Sequence, residues 1–295
     1  MQYFIDLLII GLTIGVLYGL IALGISFIYS GLDMVHFAHG EIFMFGAFIA
    51  YSASQAGFPY PLALIAGAVG AGIVGVVIER LFYRRLTTMG GGLTVAGMGL
   101  IICGFGMSVA LQNLAYLIWG PAPRSLPVNF GPPVTIAALS LPPTYIVIIA
   151  VSAIMMVLLH FFLKHTRLGL AVRGVAHSKT SSYLMGINVP LAISLIFGIA
   201  CALAGIAGVL AAPVTYINVQ MGAVILLKAF AAAVVGGLGS LPGAILGGLI
   251  VGVTESLGSG YLAGEYKDVY SFILLLAILM FRPAGLLGSA VREKA

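Results

Sequence analysis

The sequence predicts an all-α, polytopic membrane protein, and three observations carry that prediction. Of 295 residues only 13 are Lys or Arg and 8 are Asp or Glu, so 7% are charged while 61% are hydrophobic. A soluble domain averages about a quarter charged residues, and so few charges could not dress the surface of a water-soluble globule of this length. Uncharged stretches long enough to cross about 30 Å of hydrocarbon recur along the chain. Small residues recur every four positions inside those stretches. This composition excludes a water-soluble enzyme and a nucleic-acid binder. It also excludes disorder, which needs low hydrophobicity and high charge.

The elements follow in order. Residues 7–29 carry no charge and are too long for a signal-peptide core. Asp6 stands where a cleaved leader would be cationic, so this is a retained first span. Residues 42–78 are uncharged and are split by Phe58-Pro59-Tyr60-Pro61 into two spans. Further spans are expected over 93–112, 143–162, 191–212, 222–235, 242–257 and 269–281. These are nine stretches, and with three of them short the reading is about eight transmembrane helices. The stretches at 42–56, 222–235 and 269–281 are short enough for re-entrant or broken helices. Cys103 and Cys201 lie inside apolar runs without metal-ligand spacing and read as core packers.

The formal charge of +5 is loop charge that sets orientation. Arg80, Arg84 and Arg85 form one cluster, Lys164, Arg167, Arg173 and Lys179 a second, and Arg282, Arg292 and Lys294 a third. All three fall on one side in the order of the spans, which makes that side cytoplasmic. The N-terminus is then expected outside and the C-terminus inside. Residues 121–143 fall outside and hold seven prolines, which suits a stiff, non-helical external loop.

Gly11, Gly15 and Gly19 are four residues apart, as are Ala63, Gly67, Ala71 and Gly75. Ala200, Ala204, Gly208 and Ala212 repeat the interval, and so do Gly248, Gly252 and Ser256. Small residues at this spacing line one helix face and let backbones approach in lipid. The regions 5–112 and 191–285 are both glycine-rich sets of spans that enter the membrane from opposite sides, the sign of an inverted repeat.

Few motifs carry chemistry. None of the five lysines follows a glycine, so no Walker A phosphate cradle exists, and H-E-x-x-H is absent. The G-x-G-x-x-G match at Gly70–Gly75 lies in an apolar span with no strand before it and reads as packing. The polar cluster from Asp33 through His36, His39 and Glu41 fits no standard zinc spacing, so it reads as a turn lining a central cavity, and no metal is expected. Lys228 and Glu255 are charges inside apolar runs; such groups face a water-filled path or one another, or snorkel to the surface. Residues 164–179 carry four cations and no acid, with Leu168, Val172 and Val175 on one face and Arg173 and His177 on another. That pattern is an amphipathic surface helix, suited either to anionic lipid or to a cytoplasmic partner.

Five segments together resemble the permease family of the branched-chain amino-acid ABC importers. They are Gly11-Leu12-Thr13-Ile14-Gly15 running to Gly24, Phe37-Ala38-His39-Gly40-Glu41, Thr166-Arg167-Leu168-Gly169 with Leu184-Met185-Gly186-Ile187-Asn188, Lys228-Ala229-Phe230 through Val235-Gly236-Gly237-Leu238-Gly239-Ser240-Leu241-Pro242-Gly243, and Tyr266-Lys267-Asp268 to Arg282-Pro283-Ala284-Gly285-Leu286-Leu287-Gly288. The resemblance implies one permease domain over 1–295, with a cytoplasmic coupling loop at 164–190. It implies a non-enzymatic subunit with no cofactor of its own, ATP being used by partner subunits. Those partners are a second homologous permease, two cytoplasmic ABC ATPases and a periplasmic substrate-binding protein, in a bacterial inner membrane and with no nucleic acid.

Thr180-Ser181-Ser182-x-x-x-Gly186 is similar to a degenerate form of the family's E-A-A-x-x-x-G docking motif, with Arg167 and Arg173 beside it. His36 stands where the family usually has Asn, and the docking loop is more basic than usual. The expected path residues are His36, His39, Glu41, Lys228 and Glu255. Expected cargo is branched-chain or related amino acids; the alternatives are urea, amides or aromatic acids, or a stand-alone secondary transporter or channel.

Overall fold

The computed structural model describes residues 2–88, 93–128, 130–136 and 139–288. The order is α1 (Gln2–Leu32), α2 (His39–Gln55), α3 (Tyr60–Ile78), a π-helical turn (Glu79–Tyr83), α4 (Arg84–Thr88), α5 (Leu93–Trp119), a hairpin of Val134–Ile136 and Leu139–Leu141, then α6 (Pro143–His165). It continues with α7 (Arg167–His177), α8 (Lys179–Leu184), α9 (Val189–Ala211), α10 (Met221–Gly236), α11 (Leu241–Tyr261), a short 3₁₀ turn and α12 (Lys267–Phe281).

Among the described residues six helices are long and apolar enough to cross a membrane, against the about eight expected: Gln2–Leu32, Tyr60–Thr87, Met98–Trp119, Pro143–His165, Val189–Ala211 and Leu241–Tyr261. Three bundle helices fall short of that length, α2 with 17 residues, α10 with 16 and α12 with 15. They occupy the three stretches whose apolar runs are short, and the cause is local. The chain leaves helical geometry at 33–38, where Asp33 has φ +57, and again over 212–220, so each of α2 and α10 starts late. Helix starts elsewhere follow proline: α3, α6, α9 and α11 each carry one in the first turn, where its missing N–H costs nothing. Between Trp119 and Pro143 the described residues contain no helix, as the prolines dictate, but they do form the small antiparallel hairpin.

Packing follows the small-residue stripes. Gly11, Gly15 and Gly19 of α1 lie against the backbone of α11, where Gly248 and Gly252 face them in return. Ser256 completes the seam, its hydroxyl donating to the Leu7 carbonyl at 2.7 Å. The buried face of α3 is the every-fourth set Ala63, Gly67, Ala71 and Gly75, and it meets Phe197, Cys201 and Gly205 of α9. Two stripes singled out in one half of the sequence therefore find their partners in the other. The G-x-G-x-x-G match lies within α3, where Gly75 packs on Cys201. Helices α5 and α6 stand at the periphery with mostly exposed apolar faces.

One end of the bundle gathers the described basic clusters. Gly31 of α1 meets Ile196 of α9, Arg84 reaches Pro190 and Ser194, and the 284–288 segment folds onto Gly237. At the other end Trp119 donates to Ser52 at 2.8 Å, Tyr60 to the Val209 carbonyl at 3.3 Å, and Arg124 pairs with Ile217. Arg292 and Lys294 lie outside the described residues.

Candidate functional site

The turn before α2 and the start of α10 meet in the interior. Gly40 and Gly222 touch backbone to backbone, so any side chain at either would strike the other's carbonyl. Glu41, 1% exposed, lies in the first turn of α2 with its carboxylate directly against Gly222 in the first turn of α10. Its Oε1 accepts from the Ser108 hydroxyl of α5 at 3.2 Å, and its Oε2 has no hydrogen-bond partner. A buried carboxylate beside two helix N-termini is electrostatically sensible, because each N-terminus presents unsatisfied N–H groups and a partial positive charge.

His36 and His39 lie immediately behind, both fully buried. The Nδ1 of His36 shares a 2.8 Å hydrogen bond with the Tyr83 hydroxyl, and Phe197 packs edge-on to the ring at 5.4 Å. The His39 ring lies under Gly24 of α1, a position that only glycine leaves open. Phe37 turns outward and stacks on Phe105 of α5 at 4.3 Å. The sequence groups these histidines with Asp33 and Glu41. The structure gives them a different neighbour, Cys201: one donor atom from each of His36, His39 and Cys201 lies within 4.8 Å of the others, and these are the side chains that could hold a soft metal ion.

Lys228 and Glu255 form a separate cluster between α10, α11, α1 and α12. The Lys228 ammonium contacts Glu255 Oε1 at 2.6 Å and Asp268 Oδ1 at 2.7 Å. Tyr18 donates to Glu255 Oε2 at 3.0 Å and Ser271 donates to the same oxygen at 3.4 Å. The two charges thus face one another and their polar atoms are satisfied internally, which closes the snorkelling option for Lys228. Tyr18, Ser271 and Asp268 were not legible as site residues, since each looks ordinary in its own segment.

A third cluster had no sequence signal beyond a charge count. Glu79 is 1% exposed and receives a forked hydrogen bond from Arg84, Nε to Oε1 and Nη2 to Oε2, each at 3.0 Å. Ser194 of α9 donates to the same carboxylate at 2.6 Å. The five-residue separation of Glu79 and Arg84 coincides with the π-helical turn between them. The cluster ties that turn to the start of α9, directly after the 166–188 loop.

That loop is two helices joined at Ser178. Thr166 caps α7, accepting from the Gly169 N–H at 2.9 Å, and Ser178 caps α8, accepting from Ser181 at 3.2 Å. The buried face of α7 is Gly169, Val172 and Val175; Leu168, expected on that face, is exposed instead. Gly169 replaces it because it packs on the Phe162 and Leu163 backbone, closer than any side chain allows. Arg167, Arg173 and Thr180 are exposed, Ser181 is exposed, and Ser182 is buried under Gly174. Helix α8 ends at Gly186, φ +80, with the Ile187 N–H returning to the Ser182 carbonyl. The result is an exposed apolar tip of Tyr183, Leu184 and Met185, the latter two 81% exposed.

Residues 7–279 match the family described as branched-chain amino acid transport system / permease component. The chain is 37% identical over 307 positions to the high-affinity branched-chain amino acid transport system permease protein LivH of Salmonella typhimurium, covering 99% of this chain and 98% of that protein. It is 37% identical to the corresponding permease BraD of Pseudomonas aeruginosa, with the same coverage. A probable branched-chain amino acid transport permease of Methanocaldococcus jannaschii is 27% identical over 91% of this chain and 88% of its own length. Among solved structures, PsaBC from Streptococcus pneumoniae in complex with Fab superposes with TM-score 0.52 at 17% identity, covering 96% of this chain and 93% of that one, a likeness of fold.

Proposed function

This chain belongs to the permease family of branched-chain amino-acid transport systems, and we propose that it is the membrane subunit of an ATP-binding-cassette importer for branched-chain or related amino acids. The observation that carries the mechanism is the meeting of α2 and α10 at Gly40, Glu41 and Gly222. Paired short helices in corresponding positions of two halves mark the site in many transporters. Support for such halves comes from packing: α1 lies on α11 as α9 lies on α3, and short α10 on α1 as short α2 on α9. We read α1–α3 and α9–α11 as the inverted repeat, with the α2–α10 junction on its pseudo-two-fold axis.

An amino acid is a zwitterion, and an isolated charge is heavily penalised in hydrocarbon. At the junction, Glu41 offers a carboxylate to the ammonium group, and the first turns of α2 and α10 offer N–H groups to the carboxylate. His36 and His39 support the turn that carries Glu41. Lys228 and Glu255, closed on one another, hold α10 and α11 in register beside the path.

The drive comes from elsewhere. The apolar tip of α8 and the exposed cations of α7 suit a groove on a cytoplasmic ATPase, and Arg84, Glu79 and Ser194 brace the loop against the bundle. ATP binding there shifts the populations of inward- and outward-open states through this lever. The partners are a second permease, two ATPases and an external binding protein, with the N-terminus periplasmic and the C-terminus cytoplasmic in a bacterial inner membrane.

The test is reconstitution. In vesicles, the chain with its companions accumulates leucine when ATP and loaded binding protein are supplied, and the chain alone does not. Gly186→Trp leaves the bundle inserted and ATP hydrolysis running while uptake falls. Accumulation by the lone chain points instead to a secondary transporter; stimulation by a sugar and by no amino acid overturns the cargo.

A further inference from the structure

An open cavity of about 520 Å³ lies at the basic end of the bundle, outside the α2–α10 junction. Its interior is apolar, built by Phe27 of α1, Met156 and Leu163 of α6, and Ile245 of α11. Its mouth is cationic. Lys164 stands in the last turn of α6 and Arg173 projects from α7, and both line the opening with His160 one turn below Lys164. No carboxylate lines the cavity, and among the described residues neither cation has an ion-pair partner. Unpaired cations at the rim of an oily slot are complementary to one kind of occupant, a molecule with an anionic head and a hydrocarbon tail.

We infer that this cavity is a binding site for an anionic phospholipid of the surrounding leaflet. The position fits: α6 reaches the membrane boundary where it ends at His165, so the acyl chain enters the slot between α1, α6 and α11 while the phosphate meets Lys164 and Arg173. Basic pockets between membrane helices take anionic headgroups in this way. A free phosphate ion satisfies the rim but leaves the apolar interior empty, and a neutral lipid fills the interior but leaves the cations unmatched. The lipid joins the end of α6 to α7, two elements whose direct contact near this point is the glycine approach at Gly169.

Binding is measured without ATP, cargo or companions, so its failure leaves the transporter reading untouched. The full-length chain in neutral detergent is exposed to phosphatidylglycerol or phosphatidylcholine and the retained lipid is quantified by native mass spectrometry. Selective retention of phosphatidylglycerol is expected. A Lys164→Gln, Arg173→Gln double variant is expected to lose about thirtyfold in affinity, at about fivefold per cation near a membrane surface. The charge-preserving pair Lys164→Arg, Arg173→Lys is expected to keep it. A photoactivatable phosphatidylglycerol, labelled on its acyl chain, is expected to cross-link the unaltered protein within 23–30, 156–176 or 239–245. Equal retention of both lipids, unaltered affinity in the double variant, competition by millimolar inorganic phosphate, or cross-links confined to other segments overturns the proposal. The cross-link position alone decides it should the double variant fail to fold.

Discussion

Position 228 holds a lysine whose ammonium is 2.6 Å from Glu255 and 2.7 Å from Asp268, in a helix whose neighbours are alanine, leucine and valine. The Lys228–Glu255 pair is buried on both sides, whereas the Asp268 side chain is 51% exposed and keeps much of its hydration. Removing one member of a buried pair strands the other, which costs about 3–5 kcal/mol, while replacing both by apolar residues is often close to neutral. Lys228→Met is therefore expected to lower the unfolding midpoint in detergent sharply, and adding Glu255→Leu is expected to restore most of the loss. Equal stability of the single variant and the parent protein shows that the pair contributes nothing. The sequence exposes Lys228 and Glu255 because charges stand out in apolar runs. It hides Tyr18 and Asp268, since a tyrosine in a span and an aspartate at a helix start are unremarkable until the fold brings them together. Cys201 is hidden for the same reason, being 162 positions from His39 and adjacent to it in space.

At the scale of helices, the four-residue stripes were legible and their pairing was not. Spacing tells which face of a helix is smooth, but a smooth face has no signature for its partner. The structure sets Gly15 against Gly248 and Gly252 in the α1–α11 seam, where the added atoms of any side chain meet backbone, which cannot move aside. Gly106, on the exposed side of α5, has nothing within 4 Å of an added Cβ. Gly15→Leu is expected to separate the two helices and abolish recovery of monodisperse protein, well beyond the roughly 1–3 kcal/mol of ordinary overpacking. Gly106→Leu, equally apolar, is expected to be tolerated. Similar expression and size-exclusion profiles for the two variants contradict the seam. The short spans expected at 42–56 and 222–235 match α2 and α10 to within three residues, because the turns at 33–38 and 212–220 that precede them break the apolar run with Asp33 and His36 and with Pro213, Asn218 and Gln220.

For the whole molecule, the number of crossings decides which ends share a side. If only the six full-length helices cross, α2 does not, and the start of α1 and the 119–143 segment emerge on opposite faces. If α2, α10 and α12 cross as well, there are nine crossings, and these two segments emerge together with the basic loops opposite them. The inverted repeat proposed above requires nine. The last turn of α2 sets Ser52 beside Trp119, at the same end as Val209 and Ile217, and α1 runs antiparallel to α9 from Gly24 at Ala200 to Gly31 at Ile196. Short helices still cross when flanking turns and neighbouring proteins cover their ends. In a Cys103→Ser background, Tyr3→Cys and Ala122→Cys are each expected to react with a membrane-impermeant maleimide in intact spheroplasts, and Tyr183→Cys only after lysis. Labelling of Tyr3→Cys and Ala122→Cys from opposite sides removes α2 from the crossings. It also breaks the two-fold relation between α1–α3 and α9–α11, because a repeat inverted across the membrane requires α2 and α10 to run in opposite directions through it.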